Sequence, residues 1–421
     1  MINYNKFSNQ LKELFVDFSL KLANSLNKPQ IKFVTEMIFG IASSNSIHLS
    51  GIARTLKETV STKETVDRLS YNLDKLNGEI VWNNYRNVIK SNINDATLFH
   101  LDNSDITKPY GTRFEDMCRV KDGSSKDDKT ENGYYVTEIV ALNKNSNNPV
   151  SVYSNIWSSI TTGFKSANVK TDEALDTIYK IFGSTGTVIM DRGYDDLKRM
   201  NYFFNKKWNF IIRGTKQRNI YYKNKIYKVE EFCAEYKGKY SIDVHLKNKA
   251  VNRKCSYFKV KLKGVKNPVT MVIVYFKEGP SIFYTNRSIT CKKECIKVIS
   301  DYYKRWRIEE YFKYKKQQFN FEGFRVRSLK RINSLNTLLS MTINIINTQC
   351  EKDTQLAKTI NYCSKAIKEK VTFTYYRVTD GIYFLLSKLT CGVRHLFFQK
   401  NKEKQLQLFS IFDALQNFPE T

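Results

Sequence analysis

Residues 302–316 read YYKRWRIEEYFKYKK and contain neither proline nor glycine. The stretch predicts part of a helix running over about 291–319. On that helix Tyr302, Arg305, Glu309, Lys313 and Lys316 are spaced three, four, four and three residues apart, so all five fall on one stripe. One carboxylate among two lysines, an arginine and a phenol suits phosphate chemistry. The carboxylate would hold a metal ion at a scissile phosphate, and the cations and hydroxyl would hold the neighbouring phosphates. The same spacing also describes a solvated helix face with i,i+4 ion pairs.

Two further acids stand at predicted strand ends. TLFHLDNSDITKPYG, residues 97–111, reads as an apolar strand ending in Asp102, followed by a polar turn with Asp105 and Lys108. An acid there caps a turn or binds something at the sheet edge. In GTVIMDRGYDD, residues 186–196, a short buried strand over 188–190 ends at Asp191. Gly193 permits a tight turn into a helix over 195–205. By itself Asp191 also fits a helix N-cap.

Tyr302-x-x-Arg305-x-x-x-Glu309, six residues and then Lys316, resembles the tyrosine–arginine–glutamate–lysine signature of the bacterial DDE transposases of the insertion-sequence-four family. Trp306, Ile308 and Phe312 match that pattern too. Asp102 in its Leu-Asp-x-Ser-Asp-Ile-x-Lys context and Asp191 in Asp-Arg-Gly-Tyr resemble the family's first and second acidic boxes. The resemblance implies that Asp102, Asp191 and Glu309 are the catalytic, metal-binding triad. It implies that Tyr302, Arg305 and Lys316, with Lys313 a weaker candidate, grip phosphates, while Trp306 packs in the core. A Phe-Arg-x-x-Ser stretch after Lys316 is similar as well, and Arg325 and Arg327 head a basic cluster with Lys330 and Arg331.

Composition points the same way. The 421-residue chain carries 69 Lys and Arg against 41 Asp and Glu, a formal net charge of +28 with pI near 9.6. Charge of that size suits a polyanionic partner, nucleic acid above all. Eight cysteines are scattered without a CxxC pair, and there are four histidines, so structural zinc is not expected and free thiols in a reducing cytosol are. No signal pattern or apolar run of membrane-spanning length is present. The expectation is a cytoplasmic, nucleoid-associated bacterial protein with no membrane partner.

The elements that must position these residues divide the chain into four parts. Residues 1–95 are predicted to be a helical N-terminal DNA-binding region. Ser61 and Glu64 form a capping box opening a helix over 62–72, and with the short helical face of Leu49, Ile52, Ala53 and Leu56 they suggest a helix-turn-helix. Lys63, Thr65, Arg68 and Tyr71 would then face DNA; a plain helical bundle is the alternative. Residues 96–214 and 281–345 give three strands, helix, strand, helix, strand and later the helix with Glu309. That order is α/β, an RNase H-like catalytic core with helices on both faces of a mixed sheet. Residues 215–280 read as an inserted β-rich domain, in which alternating lysines and aromatics suit DNA contact as well as a half-buried sheet. Residues 111–133 are polar enough for a loop, and 346–421 are expected to be a helical C-terminal region with a Lys-rich stretch near 400–404.

Three carboxylates suit hard divalent cations, Mg²⁺ or Mn²⁺, and two such ions about 4 Å apart would activate a nucleophile and stabilise the leaving oxygen. The resemblance implies cut-and-paste transposition: water frees a 3′-hydroxyl, which attacks the opposite strand to give a hairpin, and the reopened ends join target DNA. The partners are then double-stranded DNA, as terminal inverted repeats and target, with a homodimer in the DNA complex. Two alternatives stay open from the residues: an RNase H-like metal-dependent nuclease that does not transpose, and a domesticated, catalytically silent DNA-binding protein.

Overall fold

The structure, a computed structural model, describes residues 3–121, 123, 129–142, 148–246, 249–350, 352, 354–365 and 373–393. The predicted stretch near 400–404 lies outside them. Helices come first: α1 (Tyr4–Leu22), α2 (Lys28–Ser44), α3 (Leu49–Leu56), α4 (Thr62–Lys75) and α5 (Gly78–Ile89). Asn3 and Asn27 cap the first two, and the expected Ser61–Glu64 capping box is formed at the start of α4. Their apolar stripes, among them Leu11, Phe15, Phe33, Ile38, Ile52 and Leu69, meet in one core.

The sheet begins with β1 (Leu98–Thr107), β2 (Cys118–Lys121), β3 (Thr130–Leu142) and β4 (Val150–Trp157). Then come α6 (Ala167–Phe182), β5 (Thr187–Met190), α7 (Leu197–Asn205) and β6 (Asn209–Arg213). β7 (Asn219–Tyr222) and β8 (Lys225–Lys228) make a separate hairpin, followed by α8 (Val229–Glu235). Lys223 and Asn224 turn that hairpin with positive φ of 47° and 63°. β9 (Tyr240–Leu246), β10 (Lys249–Val260), β11 (Val269–Phe276) and β12 (Gly279–Thr285) complete the strands, and α9 (Lys292–Tyr303), α10 (Trp306–Gln318), α11 (Leu329–Cys350), α12 (Gln355–Cys363) and α13 (Tyr375–Ser387) follow.

Ten strands form one mixed sheet in the order β2-β3-β1-β5-β6-β12-β11-β10-β9, with β4 also on β3. β1–β5 and β5–β6 are parallel, and the other pairings are antiparallel. One face packs Phe99, Leu101, Val188 and Met190 with α6, α7 and α8; the other packs Leu98, Ile189, Ile211 and Phe283 with α9.

Four expectations change in the structure. The stretch 215–280 is not a sheet of its own: β9, β10 and β11 continue the central sheet through β12, and among the described residues only the β7–β8 hairpin forms a separate sheet, bridged to the chain after β10 at Tyr221↔Lys261. Continuous ladder pairing satisfies edge backbone groups that a detached sheet would leave open. Residues 221–229, expected from the sequence as one strand of that β-rich stretch, instead hold the end of β7, all of β8 and the start of α8. Within the polar stretch 111–133 lies β2, paired with the start of β3. The helix over 291–319 is two helices. At the junction Arg305 N bonds Tyr302 O, and Arg307 N bonds Lys304 O, so i→i+3 bonds replace the α-helical ladder.

Candidate active site

Parallel pairing brings the first two acids together. The β1–β5 register ends at Leu101↔Met190, so Asp102 and Asp191 are the next residue on each strand. β1 does not end at Asp102 as expected. It runs on to Thr107 because β3 pairs with it throughout, with Asp102 opposite Glu138 and Thr107 opposite Gly133. At Asp191 β5 gives way to a short 3₁₀ turn, Arg192–Tyr194, which the Asp191 side chain does not cap. The N-cap explanation of this aspartate therefore lapses.

The broken helix supplies the rest. Tyr302 is buried at the end of α9 with its ring 4.4 Å from that of Phe283, and its hydroxyl donates to Asp191 Oδ1 at 2.9 Å. Arg305 sits in the junction with 13% of its side chain exposed. Its Nη1 donates to Asp102 Oδ2 at 3.1 Å, its Nη2 to Glu309 Oε1 at 2.5 Å, and Nη2 lies 4.0 Å from Asp191 Oδ2. Glu309, in the first turn of α10, is 56% exposed, so it is the outermost of the three acids. Arg213 at the end of β6 stands 3.9 Å from Asp191.

These contacts set the charges. Burial pushes the Asp102 carboxyl up to about 6 against the pull of Arg305 and the Asn103 amide, and Asp191 and Glu309 push the same way as burial. Burial also acts to raise Asp191, but the Arg192 amide, Arg305, the Tyr302 hydroxyl and Arg213 outweigh it and hold the carboxyl below its usual value. For Arg305 burial is the largest influence and opposes its charge, yet Tyr302 and the three acids raise it above the ordinary arginine value. Burial and Asp191 together raise the Tyr302 phenol.

Three carboxylates converging on one positive charge form an all-oxygen donor set of the kind hard divalent cations take. Arg305 sits among these acids, and among the described residues no three His, Cys, Asp or Glu side chains are gathered closely enough to hold a metal ion.

The remaining sequence candidates scatter. Lys316 faces acids rather than open space, 3.2 Å from Asp105 Oδ2 and 3.0 Å from Glu322 Oε1. Lys313 is exposed. Trp306, expected in the core, is 48% exposed; the junction turns its indole outward, with Arg307 over the ring. Lys63 is exposed at the start of α4. Thr65 is buried instead of facing outward, and it donates to Glu58. Arg68 reaches inward to Glu36 at 2.5 Å and Glu58 at 2.8 Å. Arg325 and Arg327 are exposed and, with Arg331, line a cleft of about 410 Å³ against His48, Asp67 and Ser70 of the α3–α4 region. Lys108 fastens the chain beside that cleft by donating to the carbonyls of Glu322 and Phe324.

Sequence reasoning missed Arg213, whose only signal is its place at the end of a buried strand. It also missed His100, which shares the Asp102 face of β1 and is wholly buried, with no hydrogen-bond partner on either ring nitrogen among the described residues.

The family model "Transposase DDE domain" matches residues 154–345, a span that includes Asp191, Tyr302, Arg305 and Glu309 and begins after Asp102. The match supports a DDE transposase, an enzyme class that cleaves nucleic acid and generally depends on divalent metal. A comparison with curated proteins gives no match. Among solved structures, a cryo-EM structure of a piggyBac transposase synaptic complex with hairpin DNA is similar at 10% identity and a TM-score of 0.43. The likeness covers 94% of this chain and 82% of that one, and is too distant to define fold or reaction. No helix among the described residues is long and apolar enough to cross a membrane.

Proposed function

We propose that this chain is a cut-and-paste DNA transposase of the insertion-sequence-four type, acting on its own element. The observation that carries the reading is the convergence of Asp102, Asp191 and Glu309 on Arg305, with Tyr302 bonded to Asp191. Asp102, Asp191 and Glu309 are the ligands of Mg²⁺ or Mn²⁺, two ions in the working complex. Bound there, the metal supplies an activated oxygen nucleophile and charge stabilisation at the scissile phosphate. Tyr302 orients Asp191, and Arg305 and Lys316 hold backbone phosphates beside the acids. The steps are strand cleavage to a 3′-hydroxyl, hairpin formation and strand transfer into target DNA.

The sheet from β1 to β6 with α6, α7, α9 and α10 is read as an RNase H-like core. The first 95 residues, 96–214 with 281–345, 215–280 and 346–421 are its DNA-binding, catalytic, inserted and C-terminal parts. The cleft of Arg325 and Arg327 joins the core to the α3–α4 region and suits terminal inverted repeats, and Lys63, exposed at the start of α4, is a further DNA-contact candidate. A second groove of about 850 Å³ lies between the β7–β8 hairpin and residues 259–268. Lys223, Lys259, Lys261, Lys263 and Lys266 line it, and none of its described lining residues is a carboxylate, which suits duplex backbone. Lys261→Ala with Lys263→Ala should then flatten the salt dependence of DNA binding, by about 0.9 in log–log slope for each phosphate no longer neutralised. An unchanged slope removes this groove from the DNA path. A homodimer would bring two ends together.

The test is cleavage of a labelled duplex carrying the element's own ends, with Mg²⁺, by wild type and Glu309→Gln. Wild type should nick and form hairpins while the variant binds without cutting. Equal cutting by both removes Glu309 from the chemistry. Binding by both with cutting by neither points to a silent DNA-binding protein.

A further inference from the structure

The guanidinium of Arg305 does more than neighbour the candidate metal ligands: it stands between them. It is within ion-pair distance of all three carboxylates, at 3.1, 4.0 and 2.5 Å. Among the described residues Arg213 also pairs with this cluster, but it touches Asp191 alone, at 3.9 Å. Glu309 is mostly exposed while Arg305 is mostly buried, so the charge lies on the inner side of the acid cluster. Arg305 also sits at the break between α9 and α10, within neither helix.

We propose that Arg305 is a resident counter-ion that competes with divalent metal for the three carboxylates, and that a DNA phosphate admits the metal by drawing this guanidinium away. The proposal rests on Asp102, Asp191 and Glu309 being the metal ligands. A hard cation and a guanidinium bring like charge to the same carboxylates, so each weakens the binding of the other. An Arg–phosphate pair offers the guanidinium an equivalent bidentate partner. By linkage, phosphate at Arg305 then raises metal affinity, and metal raises DNA affinity by the same factor. The free protein keeps its acid cluster partly neutralised and its metal affinity low, and a DNA phosphate at Arg305 raises that affinity.

The experiment is calorimetric titration of the full chain with Mn²⁺, for wild type, Arg305→Gln and Arg305→Lys, with circular dichroism to establish that each variant is folded. The expected result is binding about tenfold or more tighter in Arg305→Gln than in wild type, with Arg305→Lys between them. Gel-shift titration of an end-bearing duplex with Ca²⁺ is the second readout. Ca²⁺ should tighten DNA binding by wild type and leave Arg305→Gln unaffected. Equal Mn²⁺ affinities overturn the competition and leave the metal-site reading standing. Weaker binding in Arg305→Gln overturns it too and makes Arg305 a support of the ligands. If none of the three binds Mn²⁺, the ligand assignment itself falls and the proposal goes with it. Competition without Ca²⁺ coupling overturns the role given to the DNA phosphate.

Discussion

Each acid of the candidate site has a distinct environment. Asp102 is held in the sheet, Asp191 is fixed by a phenol, and Glu309 stands at the surface, so one arginine spans three different solvations. His100 lies one step deeper on the same strand face. Burial depresses its imidazole to about 3, with Arg305 and Lys304 acting in the same direction. The fold therefore keeps His100 neutral, while the unfolded chain takes up a proton once pH falls below about 6.5. The unfolded state binds more protons between those values, so stability drops with falling pH, by up to about 1.4 kcal/mol per unit from this group. His100→Leu should flatten the fall. Thermal midpoints at pH 7 and pH 5 in chelator measure it, and equal slopes for variant and wild type would mean that His100 is not the acid-sensitive group.

α10 has two working faces. Outward it carries Glu309 and Lys313; inward it buries Ile308, Tyr311, Phe312 and Lys315. Lys315 is the unexpected member. Its ammonium donates to Glu138 at 3.0 Å and to Asn336 at 2.8 Å, and Glu138 also accepts from Ser151 and Ser154. Burial lowers the lysine and Glu138 opposes that. This buried network ties α10 to β3, β4 and α11, and so fixes the helix that presents Glu309. Lys315→Met should cost about 3–5 kcal/mol, because it leaves a carboxylate buried without its counter-ion. Urea unfolding reads this directly. A variant as stable as wild type would show that the ion pair does not anchor α10.

At the scale of the molecule, the helices before and after the sheet make one body. α13 packs on α1 and α2, Ser8 Oγ donates to Leu385 O at 2.7 Å, and Tyr375, Ile382 and Leu385 join the same core as Leu11 and Phe15. α12 crosses α13 so closely that a Cβ on Gly381 would lie 1.9 Å from the Ile360 carbonyl oxygen. Gly381→Ala should therefore destabilise the protein by about 1–3 kcal/mol through forced separation of the two helices. A melting temperature unchanged by the substitution would mean that the crossing is loose. The excess charge of +28 acts at this same scale: it favours a polyanion over the whole surface and selects no groove.

The sequence by itself determined what depends on neighbours along the chain. The Ser61–Glu64 box and the short apolar run before Asp191 are set by capping and local hydrophobicity, which need only a few residues. Tyr302, Arg305 and Glu309 were legible as residue types at helical spacing, while Asp102 and Asp191 were legible as acids at strand ends whose grouping with Glu309 only the family resemblance implied. Tertiary structure alone decided which of them meet. Arg305 finds Asp102 across 203 positions, and Tyr302 finds Asp191 across 111. Those meetings coincide with a break in a helix that local propensity would continue. Thr65 and Arg68 turned inward for the same reason, toward glutamates buried by packing. A partner chosen by packing is not encoded in spacing, because desolvation and ion pairing act between surfaces that exist only once the sheet and helices have closed.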